Sequence, residues 1–345
     1  MSAPVLHTIA TPGAFRRALL DWYAVSKRDL PWRHSNGFYS VWLSEIMLQQ
    51  TRVEAVIPYY LRFLERFPSM EALAAAPEAV VLAAWSGLGY YSRARNLHRA
   101  ARRIAASALP ATYEQVRALP GAGPYTAAAI ASIALGLPYA AVDGNVTRVV
   151  SRLTNDASEM TSPAARRRIA DAASALLDTR RPGDFNQAMM ELGATICLPR
   201  TPECGRCPVE KFCAARAAGT EKELPVKLKK KQARDARLDL VLLEDEQGVF
   251  LVRRSSSARR LADFWELPEK KLFPGIRCRK LREFRHQIVN DRFRVAVWTA
   301  RAAPVPSEGR WFSLADLDTI PVTTVTRKAL ESRVPAAHIP SGAGR

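Results

Sequence analysis

Apolar residues recur at three- and four-residue spacing through most of the first 220 positions. That periodicity predicts helices over 14–25, 39–50, 53–67, 77–85 and 94–106, because one face of a helix then turns towards a core. Short Pro, Gly and Ser breaks separate them. No charged residue occurs from Ala118 to Val142, but Pro120, Pro124, Gly136 and Pro138 interrupt that stretch. Its unbroken part, 125–135, would be about 16 Å long as a helix, against about 30 Å of bilayer hydrocarbon. A buried globular helix is therefore expected rather than a membrane span. Past residue 220 the texture changes. Residues 221–237 carry seven Lys/Arg and three Asp/Glu with little to bury, including Lys229, Lys230 and Lys231, and read as a basic linker. Beyond it, 238–243, 249–252 and 293–298 read as strands. The pattern predicts a helical region followed by a separate α+β domain, with no internal repeat.

Composition adds a partner class. The 345 residues suit two or three domains. With 51 Lys+Arg against 33 Asp+Glu the net charge is +18, which favours a polyanion, nucleic acid or an acidic membrane surface. The first residues lack the basic-then-apolar layout of a signal peptide, so a cytoplasmic protein is expected.

Three stretches carry candidate chemistry. In Leu119-Pro120-Gly121-Ala122-Gly123-Pro124-Tyr125-Thr126 a Gly-x-Gly turn runs straight into an apolar helix, and free N–H groups at such a turn bind anions such as a phosphodiester. Asp143 follows in Val142-Asp143-Gly144-Asn145, either as a carboxylate delivered to a held sugar or as a plain cap of the helix at 146–153. The second stretch, Val41-Trp42-Leu43-Ser44-Glu45-Ile46-Met47-Leu48, places one carboxylate in apolar surroundings. Either Glu45 lies on a solvent face, or burial raises its pKa as a general acid requires. The third is Cys197, Cys204, Cys207 and Cys213, a C-x6-C-x2-C-x5-C pattern. In a cytosolic chain it argues for a metal site over disulfides, and its spacing does not separate zinc from an iron–sulfur cluster. Arg200, Arg206 and Lys211 lie among these cysteines; Cys278 is isolated and reads as a small core residue.

These motifs resemble the helix-hairpin-helix family of DNA base-excision glycosylases. Ser44-Glu45-x-Met47-Leu48-Gln49-Gln50-Thr51, with Tyr125 where strand-cutting members carry Lys, resembles the adenine-removing MutY branch. The resemblance is strong over 28–215 and looser beyond 238. It implies a 4Fe–4S cluster on the four cysteines. It implies that Glu45 protonates the adenine, that Asp143 stabilises the resulting cation or adds to it, and that Tyr125 and Asn145 orient Asp143 and the sugar. Gln49, Gln50 and Thr51 end the Glu45 helix, where a flat amide would fill the gap left by an extruded base. In Gly87-Leu88-Gly89-Tyr90-Tyr91, Tyr90 would wedge beside the lesion partner, with Tyr91 in the core. Trp32 and Arg33 match the pocket entrance, Trp32 being equally readable as core. Glu191 matches a residue contacting the flipped adenine, or else supports the cysteine loop.

The implied architecture is α+β and multidomain. An all-α glycosylase core would comprise a six-helix domain at 29–136 and a cluster domain from 1–28 and 137–220, with the linker at 221–237 and a Nudix-like lesion-recognition domain at 238–345. Asp263-Phe264-Trp265-Glu266-Leu267-Pro268 resembles a Nudix strand end, but no Glu-rich helix follows to hold magnesium, so hydrolase activity is not expected. Two departures stand out: Asp263-Phe264-Trp265 replaces the family's Gly-Leu-Trp, and Ile288-Val289-Asn290 replaces its Phe-Ser-His loop. The expected partner is duplex DNA with adenine opposite 8-oxoguanine or guanine, bound by a monomer, nucleoid-associated if bacterial. An oxidised-pyrimidine glycosylase is disfavoured by Tyr125, and a non-catalytic damage-binding iron–sulfur protein by the pairing of Glu45 with Asp143.

Overall fold

The computed structural model describes residues 11–35, 37–226, 234–246, 248–258, 261–288, 291–300 and 305–331. Two compact units emerge, Met1–Ala75 with Asn96–Lys230, and Ala76–Arg95 with Lys231–Arg345.

The first unit is helical where the periodicity places helices. Pro12–Ser26, Phe38–Leu48 and Val53–Arg66 correspond to the first three predicted segments. Phe38–Leu48 stops two residues short of the expectation because Gln50 takes a left-handed φ of 58°, which no helix propagates. Pro12, Pro124, Pro163 and Pro182 each open a helix, where the missing N–H would be unpaired anyway. One core joins Phe15, Leu19 and Tyr23 of the first helix to Val149 and Leu153 of Gly144–Leu153, Ile169 of Pro163–Leu176, and Phe185 and Leu192 of Pro182–Thr195. Cys197, Cys207, Phe212 and Cys213 pack against it. The uncharged stretch forms the helix Pro124–Ile133, buried from Thr126 to Ser132. Among the described residues no helix is long and apolar enough to cross a membrane.

Two close approaches depend on glycine. Gly121, at φ 85°, sits where a Cβ would lie 2.9 Å from the Asn96 Cβ, so the hairpin turn has both a backbone and a space requirement. At Gly193 a Cβ would fall 2.6 Å from the Asn145 Cβ, and its absence lets Pro182–Thr195 lie directly on Asn145.

The second unit is α+β. Strands β1 (Arg234–Leu242), β6 (Asp291–Thr299) and β5 (Arg279–Ile288) form one sheet, β1 parallel and β5 antiparallel to β6. In the other, β3 (Gly248–Arg253) pairs antiparallel with β2 (Glu244–Asp245), β4 (Trp265–Glu266) and β7 (Gly309–Phe312). The two-residue repeat of strands explains the packing: Leu240 and Leu242 enter one core with Val295, Val297 and the helix Thr324–Leu330, while Val241 and Leu243 enter another with Phe250 and Phe273. Half-buried Cys278 packs against this second cluster. After β4 comes only the short turn Lys270–Leu272 before β5 among the described residues, and Glu266 is tied to Arg254 at 2.8 Å. Of the basic segment 221–237, residues 227–233 lie outside the described residues and 234–237 begin β1; Val289 and Asn290 also lie outside them.

Candidate active site

In the first unit a cavity of about 640 Å³ collects residues from across the sequence. Trp32, Arg33, Glu45, Gln49, Gln50, Thr51, Gly121, Gly123, Tyr125, Asp143, Asn145 and Glu191 all line it. Tyr90 belongs to the second unit, and the four cysteines do not line the cavity.

Glu45 stands on the buried side of Phe38–Leu48 and is 7% exposed. Its Oε2 accepts a hydrogen bond from the Tyr125 hydroxyl at 2.9 Å. Burial pushes the Glu45 carboxyl up to about 7; the Tyr125 bond opposes the rise and the negative charge of Asp143 adds to it. Tyr125, which also reaches the Met190 sulfur at 3.3 Å, is pushed well above the ordinary phenol range by burial and by the two carboxylates. Its proton therefore stays on the hydroxyl and points at Glu45. The hydroxyl's recorded carboxylate partner is thus Glu45, whereas the family resemblance assigned it to orienting Asp143.

Asp143 holds two positions at once. As the cap of Gly144–Leu153 its Oδ1 accepts the Val146 N–H at 2.7 Å. Its Oδ2 accepts from Asn145 Nδ2 at 3.1 Å, and the carboxylate still lines the cavity. Burial raises its pKa, against the hydrogen bonds from Val146 and Asn145 and the charge of Arg148. Arg148 donates to Asn145 Oδ1 at 2.8 Å, which turns the amide N–H₂ towards Asp143. The same guanidinium donates to Gly193 O and Cys197 O, each at 2.7 Å.

Glu191 lines the cavity and is also tied to two arginines. Arg28 Nε, at 2.8 Å, and the Arg28 backbone N, at 3.0 Å, donate to Oε1. Arg28 Nη2 and Arg33 Nη2 donate to Oε2 at 2.9 and 2.8 Å. Although burial opposes it, these bonds hold the carboxyl down at about 2. Glu191 is thus an anchor for two arginines at the cavity wall. One helical turn earlier, Gln187 lines the same cavity, its Oε1 accepting from Tyr23 at 3.2 Å. The sequence reading missed Gln187 and Met190, although Gln187 stands four residues before Glu191 and so on the same helix face.

Gln49 ends its helix with Nε2 on Thr126 Oγ1 at 3.0 Å and on Gly121 O at 3.4 Å, which ties the helix end to the hairpin. Gln50 is exposed. Trp32 is buried edge-on against Tyr60 while still lining the cavity.

The chain is similar to known proteins. Residues 43–173 match the HhH-GPD superfamily of base excision DNA repair proteins. Over 219 residues the chain is 48% identical to the adenine DNA glycosylase of Rattus norvegicus, covering 60% of this chain and 42% of that one. Over 316 residues it is 35% identical to the adenine DNA glycosylase of Schizosaccharomyces pombe, covering 74% of this chain and 68% of that one. The chain belongs to the adenine DNA glycosylase family. It spans 42% of the length of the mammalian relatives it matches. A solved thermostable thymine-DNA glycosylase is 27% identical with a TM-score of 0.54, covering 61% of this chain and 98% of that one. This likeness bears out the helical glycosylase fold expected from the motifs.

The cysteine loop is the remaining part of this family member's first unit. Among the described residues no three His, Cys, Asp or Glu side chains are arranged to hold an ion. All four thiols are free and half-buried. Burial raises the pKa of Cys204, Cys207 and Cys213, and the charge of Cys197 raises each of them further. Cysteine sulfurs are soft donors. The Arg152 guanidinium donates to the Cys197 sulfur at 3.1 Å, a cation suited to an anionic thiolate centre. The donor chemistry therefore fits a cluster carried on thiolates.

Proposed function

We propose that the chain is a monofunctional adenine DNA glycosylase that hydrolyses the N-glycosidic bond of adenine opposite 8-oxoguanine or guanine in duplex DNA. The observation that carries this reading is the pair Glu45 and Asp143 in one cavity, with Glu45 held near neutrality and bonded to Tyr125.

The hairpin turn Gly121–Gly123 offers backbone N–H groups to a phosphate. The adenine leaves the stack at a cost of a few kcal/mol and enters the cavity. Protonated Glu45 gives its proton to the departing base. Asp143, oriented through Val146 and Asn145, faces the oxocarbenium ion, stabilising it or adding to it as in retaining glycoside hydrolysis. Ionised Glu45 then activates water. Gln49 and Gln50 fill the vacated stack, Tyr90 wedges beside the lesion partner, and Trp32, Arg33 and Glu191 form the pocket wall. With Tyr125 in place of Lys, little strand cleavage accompanies base release.

Cys197, Cys204, Cys207 and Cys213 would hold a 4Fe–4S cluster. When bound, such a cluster supplies thiolate–iron bonds that order a loop with little core of its own. Arg200, Arg206 and Lys211 would then face the DNA backbone. The second unit, Nudix-like without a hydrolase helix, would read the lesion. The domain limits proposed from the sequence, 29–136, 1–28 with 137–220, 221–237 and 238–345, go with this division of labour. A single-turnover assay on an A:8-oxoguanine duplex tests the reading. Adenine release without nicking is expected; binding without release would leave a damage-binding protein instead.

A further inference from the structure

In the second unit the helix Glu78–Ala84 ends in a turn that leads into Ser92–Ala105. The turn is tightly wound, with φ of 98° at Gly87, 76° at Gly89 and 50° at Tyr90. A positive φ is unfavourable for a bulky residue and persists only where its surroundings impose it. The Tyr90 ring is 43% exposed, so burial alone does not hold it. The neighbouring Tyr91 is buried, its ring edge-on to Phe264 at 4.2 Å.

What surrounds the turn from inside is Arg93. It is 7% exposed, and its guanidinium carbon lies 5.4 Å from the Trp85 ring centroid and 5.4 Å from that of Tyr90. Its Nη2 donates to Gly89 O at 3.1 Å and to Leu88 O at 3.4 Å. Gly89 O also accepts Trp85 Nε1 at 3.1 Å, and the Arg93 N–H closes the turn on Tyr90 O at 2.9 Å. Burial lowers the Arg93 pKa to about 10, which leaves it charged at neutral pH. A buried cation shared by two aromatic faces gains more than an exposed one, and a planar fork can serve ring and carbonyl together where a Lys cannot.

We propose that Arg93 is a positioning residue for Tyr90: its guanidinium, held between Trp85 and Tyr90 and bonded to the Leu88 and Gly89 carbonyls, presets the Tyr90 ring for insertion into duplex DNA. The inference rests on Tyr90 acting as the wedge in the proposed function. A preset ring avoids the cost of ordering on binding, so Arg93 affects duplex affinity through Tyr90.

A double-mutant cycle tests this, with Tyr90→Ala, Arg93→Met and the double variant titrated on an A:8-oxoguanine duplex. Tyr90→Ala and Arg93→Met are each expected to weaken Kd by about tenfold. In the Tyr90→Ala background Arg93→Met is expected to add almost nothing. Arg93→Lys, which keeps a cation at the rings, is expected to recover part of the loss; it also keeps the test open if the Met variant does not fold. An Arg93→Met loss of equal size in both backgrounds, or no recovery with Lys, overturns the proposal. Unchanged affinity in Tyr90→Ala alone overturns the wedge reading itself.

Discussion

Glu45 and Asp143 are two carboxylates whose surroundings differ: one is bonded to a phenol among apolar side chains, the other is fixed at a helix start. The apolar run around Glu45 was readable in the sequence, which left open whether the carboxyl was buried or on a solvent face. The Tyr125 donor was not, because it arrives from 80 residues away. Glu45→Gln keeps the shape and removes the proton, so base release should fall about 10²- to 10⁴-fold with duplex binding retained. A single-turnover rate within about tenfold of the parent would show that Glu45 is not the acid. The parent rate itself should decline as pH rises through about 7, where Glu45 loses its proton. Stability follows the same group. Its folded pKa lies above the 4.5 of an exposed Glu, so its contribution is whole below 4.5 and is lost as pH rises through about 7. At higher pH the difference costs about 3 kcal/mol. The melting temperature of Glu45→Gln should therefore gain on the parent as pH rises from 4.5 to about 7 and run parallel to it above that; parallel curves throughout would contradict the buried, raised carboxyl. Asp143→Asn separates two duties of one residue. Asn caps a helix as well as Asp does, so stability should hold while excision is severely impaired. Full activity in that variant would point to another carboxylate.

At the scale of elements, the helix Pro182–Thr195 serves the site by how closely it lies against Asp143 and Asn145. Gly193 is the point of contact. Gly193→Ala would need either the helix or Asn145 to move, and such overpacking costs about 1–3 kcal/mol. Because Asn145 donates to Asp143, excision should fall along with the melting temperature; a variant that loses stability but keeps its full rate would detach Asn145 from catalysis. The same helix shows what the sequence left out about Glu191. Its place in the motif was legible, but Arg28 and Arg33, which take its two oxygens, lie some 160 residues earlier, and no local pattern records that pairing. Arg148 likewise joins Asn145, beside Asp143, to the cysteine loop through Cys197 O, a link invisible to spacing. The cysteine pattern, by contrast, was local and plain. Purified protein should be brown, with about four iron atoms per chain; one zinc and no iron would overturn the cluster assignment. Cys204→Ser should lower soluble yield and DNA affinity together.

For the whole molecule, the sequence separated a helical region from a C-terminal α+β region, because the hydrophobic period itself changes between them. It did not show that 76–95 packs with the C-terminal sheets, since a helical period says which face is buried and not against what. Ser86 Oγ donates to Val322 O at 3.1 Å and accepts from Arg327 Nε at 2.7 Å. Arg95 Nη2 donates to Ala262 O at 2.8 Å, and Tyr91 packs on Phe264. A chain ending after Glu223 would therefore lose more than the proposed lesion reader: it would strip partners from the turn that carries Tyr90. The catalytic candidates Glu45, Tyr125 and Asp143 all lie in the first unit, so the truncated protein should still release adenine. Its discrimination between 8-oxoguanine and guanine should shrink, both from the missing domain and from a slack Tyr90. Loss of the Lys-rich segment should also weaken binding to every duplex and flatten its salt dependence. The effects separate on measurement. Lost phosphate contacts lower affinity for both duplexes alike, whereas lost readout lowers only the 8-oxoguanine one. Single-turnover rates and affinities on both duplexes, with and without residues 224–345, decide the matter: an unchanged ratio would mean that the C-terminal unit neither reads the lesion nor steadies the residue that does.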